Sequence, residues 1–589
     1  MSKRRKVNGL WIAAAVAWAG LGANGDTYYV DPSGSDTHDG SLAHPFLTLQ
    51  RAADVITGTA LAGGLTTTVG SVGSVLVAEP QTVVVRAGSY AGFVMNWDTP
   101  VSGSTGAPIA FLAEPGAMIG NRNGKTPDGI DFEPGSAYVT ISGFTILNAG
   151  TITRAGIRVC GSDHVSILNN VCGSNGYWGI FTSHADNLLV ENNEAFRSVG
   201  QHGIYVSNAG IDPVVRGNRV HDNRGCGIHM NGDASNNDPG FTNWNTGLIT
   251  GALVENNVVY NNGVGGGSGI NMDGVQHSTV RNNVLYNNHA SGIAMFQMDG
   301  AQGPKSNVIY HNTIDMASDS RWAVRLDQLA GAVTLRNNIL YNRNAAHGGI
   351  NFTAPADAAL TDSDYNVFGG GRPAVTPDDL NTTSYTPAQW QAQGQDAHSF
   401  TETLSALFIN SSGAAGADYH TATNSPAIDR GETLSSVSVD LEGGQRPVGT
   451  ASDIGAYESF VLDADGDGLP DAWETLYFGG ATGANAAEDN DLDGFGNLEE
   501  YLAGTDPTDG NSRLRLISGE DAGAPGFVVR WSSASNREYT IVRTTNLLMN
   551  GEGFTPLGTG IPGTPPENVY TDATAGVDNR FYRVGVVVP

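Results

Sequence analysis

Residues 278–296 read STVRNNVLYNNHASGIAMF, and residues 252–273, just upstream, read ALVENNVVYNNGVGGGSGINMD. Both carry paired asparagines, apolar residues at alternate positions and a closing Gly-Ile. Aligned on the second asparagine of the pair, Asn170, Asn193, Asn218, Asn257, Asn283, Asn312 and Asn338 fall in one column, mostly 23 to 29 residues apart. A repeat of that length is the mark of a solenoid. The period-two alternation makes the repeating pieces strands. Three short strands per repeat, separated by Asn and Gly corners, predict a right-handed parallel β-helix. Asparagine suits the corners because it tolerates the left-handed backbone, and stacked amides bond from turn to turn.

A second phrase runs in register: GIRVC, GIFTS, GIYVS, GIHMN, GINMD, GIAMF, AVRLD and GINFT. Alternation turns Ile and Met/Val inward and sends the residues between them outward. The first outward column is Arg158, Phe181, Tyr205, His229, Asn271, Ala294, Arg325 and Asn351; the second is Cys160, Ser183, Ser207, Asn231, Asp273, Phe296, Asp327 and Thr353. The interval from Asn218 to Asn257 is longer than the others. Its surplus, GDASNNDPGFTNWNTG, holds Phe241 and Trp244 and is expected to wall a groove beside the richest part of the columns.

The ends of the chain add context. MSKRRKV followed by LWIAAAVAWAGLG has the charge and length of a secretory signal ending near Gly25, so a secreted protein is expected. No later segment is long and apolar enough to span a membrane. Three cysteines cannot make a disulfide framework and are expected to be buried thiols or one bridge at most. A net charge of −29 excludes nucleic acid as a partner.

Between Asp463 and Gly510 there are 13 acidic residues and no Lys or Arg. Asp463, Asp465, Asp467, Gly468, Leu469, Asp471 and Glu474 occupy positions 1, 3, 5, 6, 7, 9 and 12 of an EF-hand loop; Asp489, Asp491, Asp493, Gly494, Phe495, Asn497 and Glu500 repeat them. Leu469 and Phe495 supply backbone carbonyls in that reading. The expected ligand is structural Ca²⁺, and the tandem arrangement resembles dockerin-like and thrombospondin-like linkers. Beyond it, RLRLISG, GFVVRWSS, EYTIVRTT and NRFYRVGVVV alternate as a small antiparallel β-sandwich, a candidate attachment to cell surface or matrix. The expected organisation is a signal at 1–25, β-helix at 26–458, calcium module at 459–511 and sandwich at 512–589.

YYVDPSGSDTHDGSLAHPFLTLQRAADV from Tyr28, VVVRAGSY from Val83 and APIAFLAEPGAMI from Ala107 resemble the opening of secreted bacterial β-helix carbohydrate-active proteins. SPAIDRG from Ser425 and DIGAYE from Asp453 resemble the closing segment of β-helix proteins with variable C-terminal anchors. The resemblance implies a polysaccharide substrate, and its members include pectate-lyase-like enzymes, uronate epimerases and β-helix glycosidases. The pectate-lyase-like lysine base has no counterpart here: the four lysines are Lys3, Lys6, Lys125 and Lys305, none in the outward columns.

Uronate β-elimination needs a neutralised carboxylate, a base and an acid. His229 is the expected acid or base, with Tyr205 and Asp273 in support and Arg325 or a groove Ca²⁺ near Asp233 and Asp273 on the substrate carboxylate. Arg158, Phe181, His202, Asn231, Trp244, Asn271, Asp299 and Asp327 are expected to contact the chain. Hydrolysis would instead use paired carboxylates among Asp273, Asp299, Asp327 and Asp233, with Asp273 and Asp327 three turns apart. A non-catalytic glycan-binding protein is the third reading.

Overall fold

In the computed structural model the described residues are 25–148, 150–235, 244–370, 375–376, 384–412, 419–422, 425–449, 451–459, 465, 467–521, 526–534, 537–544, 554–574 and 580–587. They divide into two units: the first reaches Arg446 and includes Ala451–Glu458, and the second holds Pro447–Thr450 and everything from Ser459.

The first unit is a right-handed parallel β-helix of about 11 turns. Its strands pair in parallel with their counterparts one turn away, forming a sheet of 22 strands that covers two faces and a sheet of 12 on a third. Inside lies one continuous apolar stack. Val190, Val215, Val254, Val280, Ile309 and Leu335 pair rung to rung down one face, and all are fully buried. The helix Leu49–Gly63 is capped by Thr48 and sinks Leu49, Ala52, Ala53, Ile56 and Ala60 into the same core.

The two asparagines of each pair divide the corner between them. The first takes the left-handed backbone: φ is +55° at Asn169 and Asn192, +56° at Asn256, +52° at Asn282 and +59° at Asn337. The second turns inward and builds the ladder. Asn283 Nδ2 donates to Val254 O and to Asn312 Oδ1, both at 2.9 Å, while its own Oδ1 accepts from Asn257 N and Nδ2, also at 2.9 Å. The column runs from Asn170 to Asn338 as read from the sequence, and Asn366 extends it. A second ladder, Asn223, Asn262 and Asn288, occupies the other corner. Asn283→Ala orphans two donors on Asn257 and the Val254 carbonyl in a dry interior. The expected cost is about 3 kcal/mol, read as a lower urea midpoint at unchanged slope.

The strands end at Phe400–Thr401, and the closing segment packs on the outside of the 12-stranded face. Leu404, Leu407, Phe408, Tyr419, Ile454 and Ala456 cover Tyr260, Tyr286 and Ile339. Arg446, buried against Glu458 at 3.1 Å, fastens it. The three cysteines are free and buried, and no disulfide forms. Among the described residues no helix is long and apolar enough to cross a membrane.

In the second unit, two three-stranded antiparallel sheets, Leu516–Asp521 with Phe527–Ser532 and Glu567–Asp572, and Thr555–Pro562 with Glu538–Thr544 and Phe581–Val587, share a core of Val529, Trp531, Tyr539 and Ile541. The guanidinium of Arg537 caps the helix Asn497–Ala503 by donating to Leu502 O and Tyr501 O at 2.7 and 2.6 Å.

Candidate functional site

The first outward column forms as the pattern required. Arg158, Phe181, Tyr205, His229, Asn271, Ala294, Arg325 and Asn351 are paired rung by rung in one line. At about 4.8 Å per rung, Arg158 and Arg325 lie about 29 Å apart, the reach of several sugar units. One further turn belongs to the line. Asp131 pairs with Arg158, and the phrase GIDFE that carries it holds the same Gly-Ile signature. Asp128, Asp131 and Glu133 form a buried acidic knot under Arg154 and Arg158. Arg158 Nη1 donates to Asp131 at 2.8 Å and to Glu133 at 2.9 Å. Burial pushes the Asp131 carboxyl up to about 6, against the pull of Arg158. Arg158, expected to contact substrate, is thereby committed to carboxylates of its own protein.

The middle of the face is aromatic. Trp178 stacks on Phe181 at 4.5 Å, Phe181 meets Tyr205 edge-on at 5.3 Å, and Tyr205 stacks on His229 at 4.7 Å and 22°. Trp178 was not singled out in the sequence because it precedes the Gly-Ile phrase; its register partner Ala155 has no ring to mark the position.

His202 and His229 fix each other's tautomers. The backbone N–H of Cys226 donates to His202 Nδ1 at 3.0 Å, so a neutral His202 carries its proton on Nε2. That nitrogen lies 3.0 Å from His229 Nδ1 and donates to it, which leaves the His229 proton on Nε2. His229 Nε2 is buried without a hydrogen-bond partner. Burial lowers His202 to about 4, and burial together with His202 holds His229 well below the ordinary imidazole value. His229 therefore has no free lone pair facing the groove. In this tautomer His229 offers an N–H rather than a lone pair at Nε2, and its ring stacks on Tyr205. The donor atoms of His202, Cys226 and His229 lie within 4.8 Å of one another. The facing nitrogens of the two rings are hydrogen-bonded to each other, and burial pushes the Cys226 thiol up to about 12.

Both rings should read as neutral Nε2–H tautomers at pH 5.5 by histidine-selective ¹⁵N NMR. The linkage sign follows. Below the ordinary His value of about 6.5 the unfolded chain takes up protons that these rings refuse, so folding stability falls as pH drops toward 4.

Tyr205 stands in the outward column and carries a hydroxyl able to transfer a proton. Burial raises its pKa, with the charges of Asp233 and Asp299 adding to the shift, so it is a phenol at neutral pH. Ser207 and Asn231 stand beside its hydroxyl. Asp299 is exposed. Further along, Asn271, Ala294, Phe296, Arg325 and Asp327 line a cavity of about 230 Å³.

Two expected groove residues turn out to be structural. Asp273 is 1% exposed and accepts the backbone N–H groups of Met298, Asp299 and Gly300 at 2.8 to 3.2 Å, so it anchors that loop rather than meeting substrate or metal. Trp244 packs in a cluster with Val69 and Ala137, and its indole N–H donates to Asp186 at 2.9 Å; its face is not offered to a sugar. Phe241 lies outside the described residues. Asp327 and Asp273 are two rungs apart, not three, and Asp327 is held by Arg325 at 3.2 Å and by the Thr353 hydroxyl. No free carboxylate pair remains in the second column for the hydrolytic reading.

In the second unit, the sixth-position glycines Gly468 and Gly494 have φ of +96° and +99°, the sharp turn of a calcium loop. Asp489, Asp491 and Asp493 bring carboxylate oxygens within 4.8 Å of one another. Buried oxygens of Asp491, Asp493, Asn497, Glu500 and Glu474 have no hydrogen-bond partner. Burial, then Asp491 and Asp493, push the Glu500 carboxyl up to about 7. In the second loop the orphaned oxygens of Asp491, Asp493 and Glu500, beside Asp489, fit a hard cation; Glu474 belongs to the first loop. In the first loop Asp467 accepts from Ala486 N at 2.7 Å and Leu469 is fully buried, while Asp463 lies outside the described residues. Asp465 and Asp471 flank it.

Residues 119–252 match the family model for a right handed beta helix region. The chain is 28% identical over 247 residues to the uncharacterized protein YwoF of Bacillus subtilis (strain 168), a match covering 36% of this chain and 46% of that one. It thus spans under half the length of that curated relative. Among solved structures, pectate lyase Pel9A aligns with 16% identity over 74% of this chain and 98% of its own, at a TM-score of 0.40. The A-module of Azotobacter vinelandii mannuronan C-5 epimerase AlgE4 aligns with 15% identity over 58% and 95%, at 0.30. A GH136 lacto-N-biosidase from Eubacterium ramulus aligns with 12% identity over 54% and 64%, at 0.31.

Proposed function

We propose that this protein is a secreted polysaccharide-active enzyme that binds its polymer along the outward columns and acts on a uronate by proton transfer at Tyr205. The observation that carries the reading is the stack of Tyr205 on a locked, neutral His229, flanked by the uncharged donors Asn231 and Asn271. In a lyase, Asp299 takes the proton α to the carboxyl. A carbon–carbon double bond forms, the β C–O bond breaks, and the Tyr205 O–H protonates the departing oxygen. In an epimerase Asp299 keeps the proton it took, the Tyr205 O–H delivers one to the opposite face of the same carbon, and no bond to oxygen breaks. The side-chain amides of Asn231 and Asn271 hold the substrate carboxyl. Arg325 is four rungs from Tyr205, about 19 Å, and so serves a more distant sugar.

The test is a polysaccharide panel followed by ultraviolet absorbance and reducing ends together. Unsaturated product supports the lyase, and recovered polymer with changed uronate configuration supports the epimerase. Reducing ends without unsaturation, or an unchanged polymer, overturn both.

Calcium is proposed for the acidic module, with Asp465, Asp467, Leu469, Asp471 and Glu474 in one loop and Asp489, Asp491, Asp493, Phe495, Asn497 and Glu500 in the other, Asp463 completing the first. When bound, Ca²⁺ neutralises carboxylates that otherwise repel one another. Glu500→Gln should remove the tight phase of calcium uptake in calorimetry at the second loop and leave the β-helix thermal transition in place.

A further inference from the structure

The second unit contains a groove of about 700 Å³ whose walls have a composition unlike the rest of the chain. Every charged residue among its lining is an arginine: Arg515, Arg580 and Arg583. This occurs in a protein of net charge −29. Random placement on such a surface would put carboxylates there, and among the described lining residues there are none.

The remaining walls mix aromatic rings, Phe495, Phe527, Phe554, Phe581 and Tyr582, with aliphatic and small side chains. Phe527 and Tyr582 lie parallel, 2° apart in plane with centroids at 5.3 Å. Arg583 sits over Phe554 at 5.0 Å, which holds the guanidinium beside a ring. Arg580 is largely buried; its Nη1 lies 4.0 Å from Asp572, and its Nε is buried and makes no hydrogen bond. A buried donor left unbonded is costly unless a ligand or water meets it. Aromatic faces suit the C–H faces of sugar rings, and guanidinium groups pair carboxylates in a planar fork.

We infer that this groove is a second binding site, separate from the β-helix face, for an acidic polysaccharide carrying carboxylate sugars. The ligand class rests on the uronate reading of the β-helix; the groove's preference for anions rests on its own arginines. The site is also coupled to calcium. Phe495 forms one wall, and the same residue stands at position 7 of the second acidic loop, where its carbonyl would bind the ion. Filling that loop fixes the backbone that carries the ring.

The experiment measures retention of the intact protein on polygalacturonate and on alginate, with dextran as a neutral control, in calcium and in chelator. Arg580→Gln with Arg583→Gln should weaken polyuronate binding at least tenfold and leave turnover of a short soluble oligouronate unchanged. Phe495→Ala should weaken it in calcium, and chelator should weaken the parent protein but add little to that variant. Unchanged retention in the arginine variant overturns the site, as does equal binding to dextran. Displacement by polyglutamate as effective as by polyuronate, or equal binding to anionic phospholipid vesicles, overturns the assignment to a glycan. The two readings fail separately. A parent protein that neither cleaves nor epimerises uronates, yet loses retention in the arginine variant, leaves the groove standing and removes the β-helix chemistry. Turnover with unaltered retention does the reverse.

Discussion

Tyr205→Phe should lower kcat on a uronate polymer at least about a hundredfold while KM changes little. The variant keeps the ring, so its stacking on His229 at 4.7 Å and its edge contact with Phe181 survive. Only the hydroxyl is lost, and with it the acid proposed for the leaving oxygen. The parent enzyme should hold its activity to pH 10 or above on the alkaline side, because burial and the flanking carboxylates raise the tyrosine pKa and keep the phenol protonated. His229→Ala is expected to act differently. It removes the ring against which Tyr205 is held, so it should reduce kcat without shifting that alkaline limb. An alkaline limb that moves in the His229 variant would restore the imidazole as the acid or base. Full activity of Tyr205→Phe would remove the site.

The largest stability effect is expected at Arg446. Its side chain is fully buried, and Glu458, 3.1 Å away, is nearly so. The guanidinium also donates to Asp453 O at 2.8 Å and to Gly455 O at 3.1 Å, and its Nη1 lies 2.6 Å from His311 Nδ1. His311 in turn is neutral, held well below its ordinary value by burial and by the arginine charge. These bonds fix the closing segment to the β-helix turn that carries His311 and Asn337. Arg446→Met removes the cation beside the buried Glu458 carboxylate, which costs about 3–5 kcal/mol. Arg446→Met with Glu458→Met should recover most of that loss, because two apolar side chains need no desolvation penalty. The reading is denaturant unfolding together with protease sensitivity of residues 425–458. A single variant as stable as the parent would show that the strap is held by its apolar contacts alone.

Much of the β-helix was determined by sequence, because its regularity is local. An Asn pair needs only its own backbone and the identical pair one turn away, so Asn257, Asn283 and Asn312 announce their corner without knowledge of the rest of the chain. The outward column was legible for the same reason: period-two alternation decides which way a side chain points. The turn at Asp131 carried the same Gly-Ile phrase and was readable in principle, although its neighbours lacked the Asn pair.

What the alternation cannot convey is what an outward residue meets. Asp273 stands in the correct column, yet a loop 25 residues later folds its three N–H groups onto the carboxylate. Trp244 lies in the correct insertion, but the cluster it packs into includes Val69, far away in the chain. His229 was visible as an outward histidine, and the tautomer of its ring was not. That follows from one backbone N–H at Cys226 acting through His202, a chain of donors and acceptors set by tertiary contacts. Direction is a property of the strand, and the sequence alone determines it. Protonation state and availability depend on groups brought near by folding, and only the three-dimensional structure decides them.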